Sequence, residues 1–136
     1  MLTVIIPTLF KCPRIIETLV ELSESKIVGE IILIDNTGIK KNLDIPKLNY
    51  ILEETNTYVN PSWNKGVRIS SNDNICILND DIWFDWKFLK DIEDFMNSNN
   101  CIIGMSEENY NSPSSEFKIS KIEPDWKTSK GYRPMA

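Results

Sequence analysis

The sequence predicts an α/β fold in which a mainly parallel, open sheet carries helices on both faces. Short runs of β-branched and aliphatic residues alternate along the chain with segments whose apolar residues recur at helical spacing. The apolar runs are continuous rather than alternating, which is typical of strands covered on both faces. Acids and turn-forming residues follow two of these runs, as expected where parallel strands end in loops.

The first part of the chain contains three of the predicted strands and one helix. Thr3–Pro7 is a central strand, Glu30–Asp35 is a second strand of the same kind, and Asn49–Leu52 is a weaker third. Pro13 suits the first turn of the intervening helix. The apolar stripe of that helix consists of Ile15, Ile16, Leu19, Val20 and Leu22.

A second helix and a fourth strand follow. Asn60 and Pro61 suit the N-cap and first position of a short helix that ends near Ser71. Asn74–Leu78 is a strongly apolar strand, and it leads directly into Asn79-Asp80-Asp81. This strand therefore ends in acids, as the second one does.

A third helix is predicted from Asp85, as its N-cap, to Ser98, and Cys101–Met105 is predicted as a fifth strand. On the helix, Leu89, Ile92, Phe95 and Met96 are expected to face inward, and Asp91, Glu93 and Asp94 to face water.

The whole chain, residues 1–136, is predicted to form one domain, since 136 residues suffice for one core. Residues 1–105 form its alternating β/α part. Residues 106–136 comprise a loop, an edge strand over Glu116–Ile122 and an irregular tail.

Composition excludes several kinds of function. The chain has no His, so no imidazole serves as base, metal ligand or triad member. Cys12, Cys76 and Cys101 are odd in number and widely spaced, and two of them sit in apolar runs, which predicts buried free thiols in a reducing compartment. A net charge of −5 disfavours nucleic-acid binding. No signal peptide or transmembrane segment is evident, so we expect a soluble cytoplasmic protein.

The acids after two strands indicate a ligand site. Ligands of open parallel sheets bind beyond the carboxyl ends of the strands, where Asp35 and Asn79-Asp80-Asp81 both fall. Acids gathered at one edge repel each other unless a cation lies between them, and an oxygen-rich site favours Mg²⁺ or Mn²⁺. Such an ion bridges two phosphates of a nucleotide diphosphate.

Each of these residues also has a structural interpretation. Asp35 is as well explained as a turn former, whereas adjacent acids after an apolar strand favour function at Asp80 and Asp81. Lys65 suits an exposed position, and Gly66 within a helix indicates close approach of a ligand or a neighbouring backbone. The aromatic residues Tyr58, Trp63, Trp83 and Trp86 are better explained by core or rim packing than by ligand binding.

Four segments in order resemble the landmarks of family 2 glycosyltransferases with the GT-A fold. They are Thr3-Val4-Ile5-Ile6-Pro7-Thr8, Glu30-Ile31-Ile32-Leu33-Ile34-Asp35-Asn36, Trp63-Asn64-Lys65-Gly66 and Ile77-Leu78-Asn79-Asp80-Asp81. The resemblance covers residues 3–105 and implies a Rossmann-like nucleotide-binding domain. It also implies that Pro7 and Thr8 line the nucleotide pocket, that Asp35 contacts the base, and that Asn64 approaches the nucleotide from its helix.

The resemblance places a metal on the acidic triplet. In the family's Asp-x-Asp type motif the last acid binds the metal on the diphosphate, which implies that role for Asp81, and the preceding acid, Asp80, reaches the ribose. Asn79 replaces an acid and is not expected to bind the ion. The implied cofactor is Mn²⁺ or Mg²⁺. The implied partners are a nucleotide diphosphate sugar, with a UDP-sugar expected, and a glycan, protein or lipid acceptor.

The C-terminal part departs from the family. Nothing after Met105 matches the acceptor-binding half and its catalytic base, and we assign that role to none of Glu107, Glu108 and Asp125. Residues 131–136 suggest a chain cut before its next element, so the chain is expected to be the donor-binding half. The catalytic residue and the inverting or retaining outcome stay open.

Two other functions are compatible with parts of the sequence. The main alternative is a non-catalytic module, or a truncated remnant, that holds a nucleotide or sugar without turnover. Residues 33–38 superficially resemble the nucleophile loop of haloacid-dehalogenase-like phosphatases, but Thr37 occupies the place of the second acid. Gly-rich phosphate loops of the Walker or dinucleotide type are absent from the sequence.

Overall fold

The computed structural model describes residues 1–104 and confirms the α/β class. Its elements, in chain order, are β1 (Leu2–Thr8), α1 (Ile15–Glu24), β2 (Val28–Asp35), β3 (Leu48–Leu52), α2 (Val59–Ile69), β4 (Asn74–Ile77) and α3 (Phe88–Ser98). Residues 105–136, which contain the predicted edge strand and tail, lie outside the described residues. The extent of the domain over 1–136 therefore stays a prediction.

The four described strands form one parallel sheet in the order β3-β2-β1-β4. The chain adds β2 and then β3 on one side of β1, and it returns to the opposite side for β4. The order thus reverses between β1 and β4, which is where open α/β sheets form a ligand crevice beyond the carboxyl ends of the strands. Thr8 ends β1 beside Asp35 at the end of β2.

The core occupies both faces of the sheet because side chains alternate along each strand. On one face, Val4 and Ile6 of β1 pack with α1 and with Leu89 of α3. On the other face, Ile5, Ile32 and Ile34 form a smaller cluster against which Trp63 of α2 packs. Both faces of β1 and β2 are therefore covered, as their continuous apolar runs predicted.

The connections explain which face each element takes. Residues 36–47 join β2 to β3 without a helix, and Leu43 and Ile45 of this segment pack on the face that α1 covers. The next connection runs in the reverse direction to β4. Since crossovers keep one hand, a reversal moves the connection to the other face, and α2 does lie there.

The described part of β4 is less buried than its apolar sequence predicts. Its residues are half-buried or exposed, and the side chain of Ile77 is 49% exposed. The reason is that β4 pairs with β1 on one side and, within residues 1–104, with no strand on its other side.

The start of α2 differs from the prediction. The helix begins at Val59 with Tyr58 as its N-cap, so Asn60 and Pro61 lie in the first turn rather than at its boundary. Pro61 is tolerated there because the first-turn N–H groups of a helix have no intrahelical acceptor.

Helix α3 also differs from the prediction, both in where it begins and in which residues it buries. Asp85 is not its N-cap: the carboxylate accepts a 3.1 Å bond from the Lys87 N–H, and the helix begins at Phe88. Leu89 is buried as predicted, whereas Glu93 was expected in water and is buried. Glu93 pairs with the amino group of Met1, so its burial brings two opposite charges together.

The predicted fifth strand is wrong over the part that can be compared. Residues 101–104 form no strand, and Ile102 is fully exposed. A short apolar run is a weak signal because strand formation depends on packing and on a hydrogen-bonding neighbour.

The three cysteines are free thiols, as predicted, but each residue is half-buried rather than buried. Burial raises the pKa of the Cys76 thiol to about 11, so this group is inert at neutral pH. Within residues 1–104 no helix has the length and apolarity needed to cross a bilayer.

Candidate functional site

The clearest polar contact at the reversal point joins Thr8 to Asp80. The Thr8 hydroxyl donates a 2.7 Å hydrogen bond to Oδ2 of Asp80 and accepts one of 2.9 Å from the N–H of Phe10. Thr8 is buried at the end of β1, and Asp80 is half-buried after β4. The pair therefore ties the two strands together at the carboxyl edge of the sheet and fixes one oxygen of the carboxylate.

Asn79 and Asp81 flank Asp80 and are both exposed. The carbonyl of Asn79 accepts a 3.3 Å bond from the N–H of Ile82, which closes a turn around the triplet. Within residues 1–104 the Asp81 carboxylate makes no hydrogen bond or ion pair. Its charge is therefore open to a ligand, whereas Asp80 is already partly committed to the protein.

The segment after the triplet is fastened to α1 by a residue that sequence reasoning missed, Glu21. The indole N–H groups of Trp83 and Trp86 donate to the same oxygen of Glu21, at 2.9 and 2.6 Å. The hydrogen bond from Trp83, followed by that from Trp86, lowers the pKa of Glu21. The Arg14 guanidinium lies 5.2 Å from the centre of the Trp83 ring. No sequence pattern links these distant residues; their contact follows from the fold.

The tryptophans confirm the predicted packing roles. Trp86 is buried and lies against Phe84 with ring centres 4.7 Å apart. Trp63 packs on the second face of the sheet, and Trp83 is a rim residue with 49% of its surface exposed.

Asp35 is fully buried and is hydrogen-bonded by the loop that follows it and by Tyr50 of β3. One oxygen accepts the Thr37 N–H at 2.8 Å, and the other accepts the Tyr50 hydroxyl at 2.5 Å and lies 3.5 Å from the Lys41 ammonium. Burial opposes ionisation, but the bonds from Thr37 and Tyr50 and the charge of Lys41 outweigh it, so the pKa of Asp35 is lowered. These contacts fit the turn-forming interpretation.

Asn36, the next residue, forms a buried polar network that was not predicted. Its amide donates to Ser62 Oγ at 3.0 Å, and its carbonyl oxygen accepts from both the N–H and the hydroxyl of Thr57, at 3.0 and 2.9 Å. The network fastens the start of α2 over the end of β2. A buried Asn with donor and acceptor both satisfied positions two elements strongly.

The middle of α2 contains the third predicted landmark. The indole of Trp63 donates a 3.3 Å bond to the carbonyl of Leu78, which places this part of the helix beside the end of β4. Asn64 is exposed, as binding from the helix requires. Lys65 is partly exposed and forms an ion pair with Glu53.

Gly66 has a packing explanation. A Cβ at this position would lie 2.4 Å from Cγ2 of Ile5, a fully buried residue of β1. The missing side chain thus lets α2 approach the sheet. The predicted close approach is to a neighbouring side chain rather than to a ligand or backbone.

The structure brings some of the predicted site residues together and keeps others apart. Thr8 and Asp80 are hydrogen-bonded at the carboxyl edge of the sheet, Asp81 follows Asp80, and Pro7 is buried beside Thr8 in β1. Asp35 is the register partner of Thr8 on the neighbouring strand, but within residues 1–104 neither Asp35 nor Asn64 forms a side-chain hydrogen bond or ion pair with these residues. At Asp35, the Lys41 ammonium 3.5 Å from Oδ2 offsets part of the expected repulsion between the two acidic groups.

The carboxylates fit one mode of metal binding. Within residues 1–104 no group of three or more acidic or Cys residues is arranged to enclose an ion. Mg²⁺ is often held by one or two carboxylates together with substrate phosphates. Exposed Asp81 beside half-buried Asp80 suits that mode, in which the nucleotide supplies most of the oxygen ligands.

Comparison with known proteins gave one match. A family model described as Glycosyl transferase family 2 matches residues 3–134, nearly the whole chain. No curated protein and no solved structure matches.

Proposed function

Because the chain belongs to glycosyl transferase family 2, we propose that it binds a nucleotide diphosphate sugar, with a UDP-sugar expected, and transfers the sugar to a glycan, protein or lipid acceptor. The observation that carries this proposal is the hydrogen bond from Thr8 to Asp80 beside exposed Asp81. It places the hydrogen-bonded carboxylate of Asp80 and the exposed carboxylate of Asp81 at the edge where open α/β sheets bind ligands.

The two acids have different roles in this proposal. Asp81 would hold a Mn²⁺ or Mg²⁺ ion, which would supply positive charge that stabilises the departing diphosphate. Asp80 accepts a hydrogen bond from the ribose through the oxygen that Thr8 does not occupy. Thr8 holds the Asp80 carboxylate in one orientation, so little ordering is left for the moment of binding.

The remaining nucleotide contacts come from β1, β2 and α2. Pro7 and Thr8 form the floor of the pocket, and Asn64 approaches from α2. Asp35 contacts the base through Oδ2 only by exchanging a partner, because that oxygen now accepts the Tyr50 hydroxyl at 2.5 Å and lies 3.5 Å from Lys41 Nζ. The base then replaces a hydrogen-bonding partner within the protein. This contact therefore favours binding only by the difference in free energy between the new interaction and the one it replaces.

An assay of sugar release from UDP-sugar and GDP-sugar donors, with Mn²⁺ present, tests whether the chain turns over its ligand. Turnover that is lost in Asp81→Ala and kept in Asp73→Ala supports an enzyme; Asp73 is an exposed acid just before β4. Metal-dependent binding with no turnover identifies the second candidate, a non-catalytic module.

A further inference from the structure

Tyr58 has a backbone conformation that its side chain disfavours. Its φ is 65° and its ψ is 178°, a region that glycine enters freely and that residues with a Cβ avoid. A tyrosine at such a position destabilises the fold relative to glycine. The surrounding structure must therefore hold it there.

Neighbouring polar groups hold the backbone of Tyr58 in place. Its N–H donates a 2.8 Å bond to the Asn56 side chain, and its carbonyl accepts a 2.6 Å bond from the Ser62 hydroxyl. Thr57, just before it, is bonded to buried Asn36. The conformation is thus fixed by an ordered loop.

The ring of Tyr58 contributes nothing visible to that order. The residue is 71% exposed, and within residues 1–104 its ring and hydroxyl make no hydrogen bond or aromatic contact. A strained backbone that displays an unpacked aromatic ring indicates a functional role, because packing does not explain it.

The position of the Tyr58 loop suggests the chemistry of its ligand. Asn36 fastens the loop over the end of β2, and β1 separates β2 from β4. The strand end beneath the loop therefore lies two strand spacings, or about 10 Å across the sheet, from the strand that leads into the acidic triplet. That separation matches the distance between the base and the diphosphate of one nucleotide. Asp35, at the same strand end, is fully buried and already bonded.

We propose that Tyr58 is the residue on which the base of the donor nucleotide stacks. The inference rests on the proposed function and adds a ligand contact that the sequence interpretation assigned to packing. A phenol ring offers a flat apolar face, and bases stack on such faces whatever their hydrogen-bonding edge. The ordered loop presents the ring without a large entropic cost on binding.

Calorimetric titration of the full chain tests this contact. UDP and GDP, each with Mn²⁺, should bind about 5- to 100-fold more weakly to Tyr58→Gly than to wild type, the usual range for loss of base stacking. Tyr58→Phe keeps the ring face and should bind as wild type does. Inorganic pyrophosphate with Mn²⁺ is the control ligand, and its affinity should be the same in all three proteins.

The melting temperature separates a binding role from a structural one. Tyr58→Gly relieves the backbone, so its melting temperature should equal or exceed that of wild type while its nucleotide affinity falls. A clear drop in melting temperature would show that the ring supports the fold, and would overturn the inference. So would equal nucleotide affinity of Tyr58→Gly and wild type, or equal losses in Tyr58→Phe and Tyr58→Gly. If wild type binds neither nucleotide, the proposed function fails, and this inference with it.

Discussion

Replacing Gly66 by Ala tests how closely α2 approaches the sheet. In an exposed helix the change would stabilise the protein by about 1 kcal/mol, since Ala is the better helix former. Here the new methyl group would lie 2.4 Å from Cγ2 and 3.1 Å from Cδ1 of Ile5. Ile5 is fully buried in a central strand and cannot swing away, so the helix itself must shift.

The size of the effect follows from two opposing contributions. Overpacking a filled site costs about 1 to 3 kcal/mol, and the fixed partner places this contact at the upper end of that range. After subtraction of the propensity gain, we expect Gly66→Ala to lower the free energy of unfolding by about 1 to 2 kcal/mol. The melting temperature should fall by about 3 to 8 °C for a chain of this size.

Urea and thermal unfolding, followed by circular dichroism, measure this change. Arg68→Ala, at an exposed position of the same helix, is the control and should stay within about 0.5 kcal/mol of wild type. Ile5→Ala removes the clashing methyl, so combining it with Gly66→Ala should cost less than the sum of the single changes. An unchanged or more stable Gly66→Ala protein would refute the proposed packing of α2 on β1.

Three further predictions concern side chains around the site. The folded-state pKa of Asp35 lies below its unfolded value, so its contribution to stability is present above the ordinary carboxyl pKa and is lost as pH falls through the folded value. In urea titrations, Asp35→Asn should therefore lower the free energy of unfolding at pH 7 and make that free energy depend less on pH in the acid range. Glu21→Ala leaves two indole N–H groups without their acceptor, so it should cost about 1 kcal/mol and shift tryptophan fluorescence to the red, whereas Glu21→Gln keeps an acceptor and should resemble wild type. Thr8→Val removes the bond to Asp80 and should weaken Mn²⁺-dependent UDP binding in calorimetry by about fivefold, as expected for one net hydrogen bond; unchanged affinity would mean that this bond does not orient the carboxylate.

Much of the fold was predictable because burial leaves a direct mark on sequence. The runs in β1 and β2 are continuous since both faces of these strands are covered, and both were identified within two residues at each end. The starts of α2 and α3 were each misplaced by two residues, because each start depends on a tertiary or turn contact. Asn36 fixes the start of α2, and Asp85 closes a turn before α3 begins.

The candidate site was predictable only in outline. Acids after two strands indicate a shared edge, but the sequence does not reveal that β4 lies next to β1, and so does not predict the bond between Thr8 and Asp80. The hydrogen bonds from Trp83 and Trp86 to Glu21 depend on contact between distant segments. The positive φ of Tyr58 is a property of backbone geometry. Composition and periodicity contain no information on either.

We propose above that Asp81, which follows β4, binds a nucleotide diphosphate through a divalent metal ion. Calorimetric titration of UDP and GDP into wild type, Asp81→Asn and the control Asp73→Asn, with and without Mn²⁺, tests it directly. We expect Mn²⁺-dependent binding of at least one nucleotide to wild type and Asp73→Asn, and at least about tenfold weaker binding, or about 1.4 kcal/mol, to Asp81→Asn. Equal affinity in all three proteins, or binding that does not depend on the metal, would contradict it.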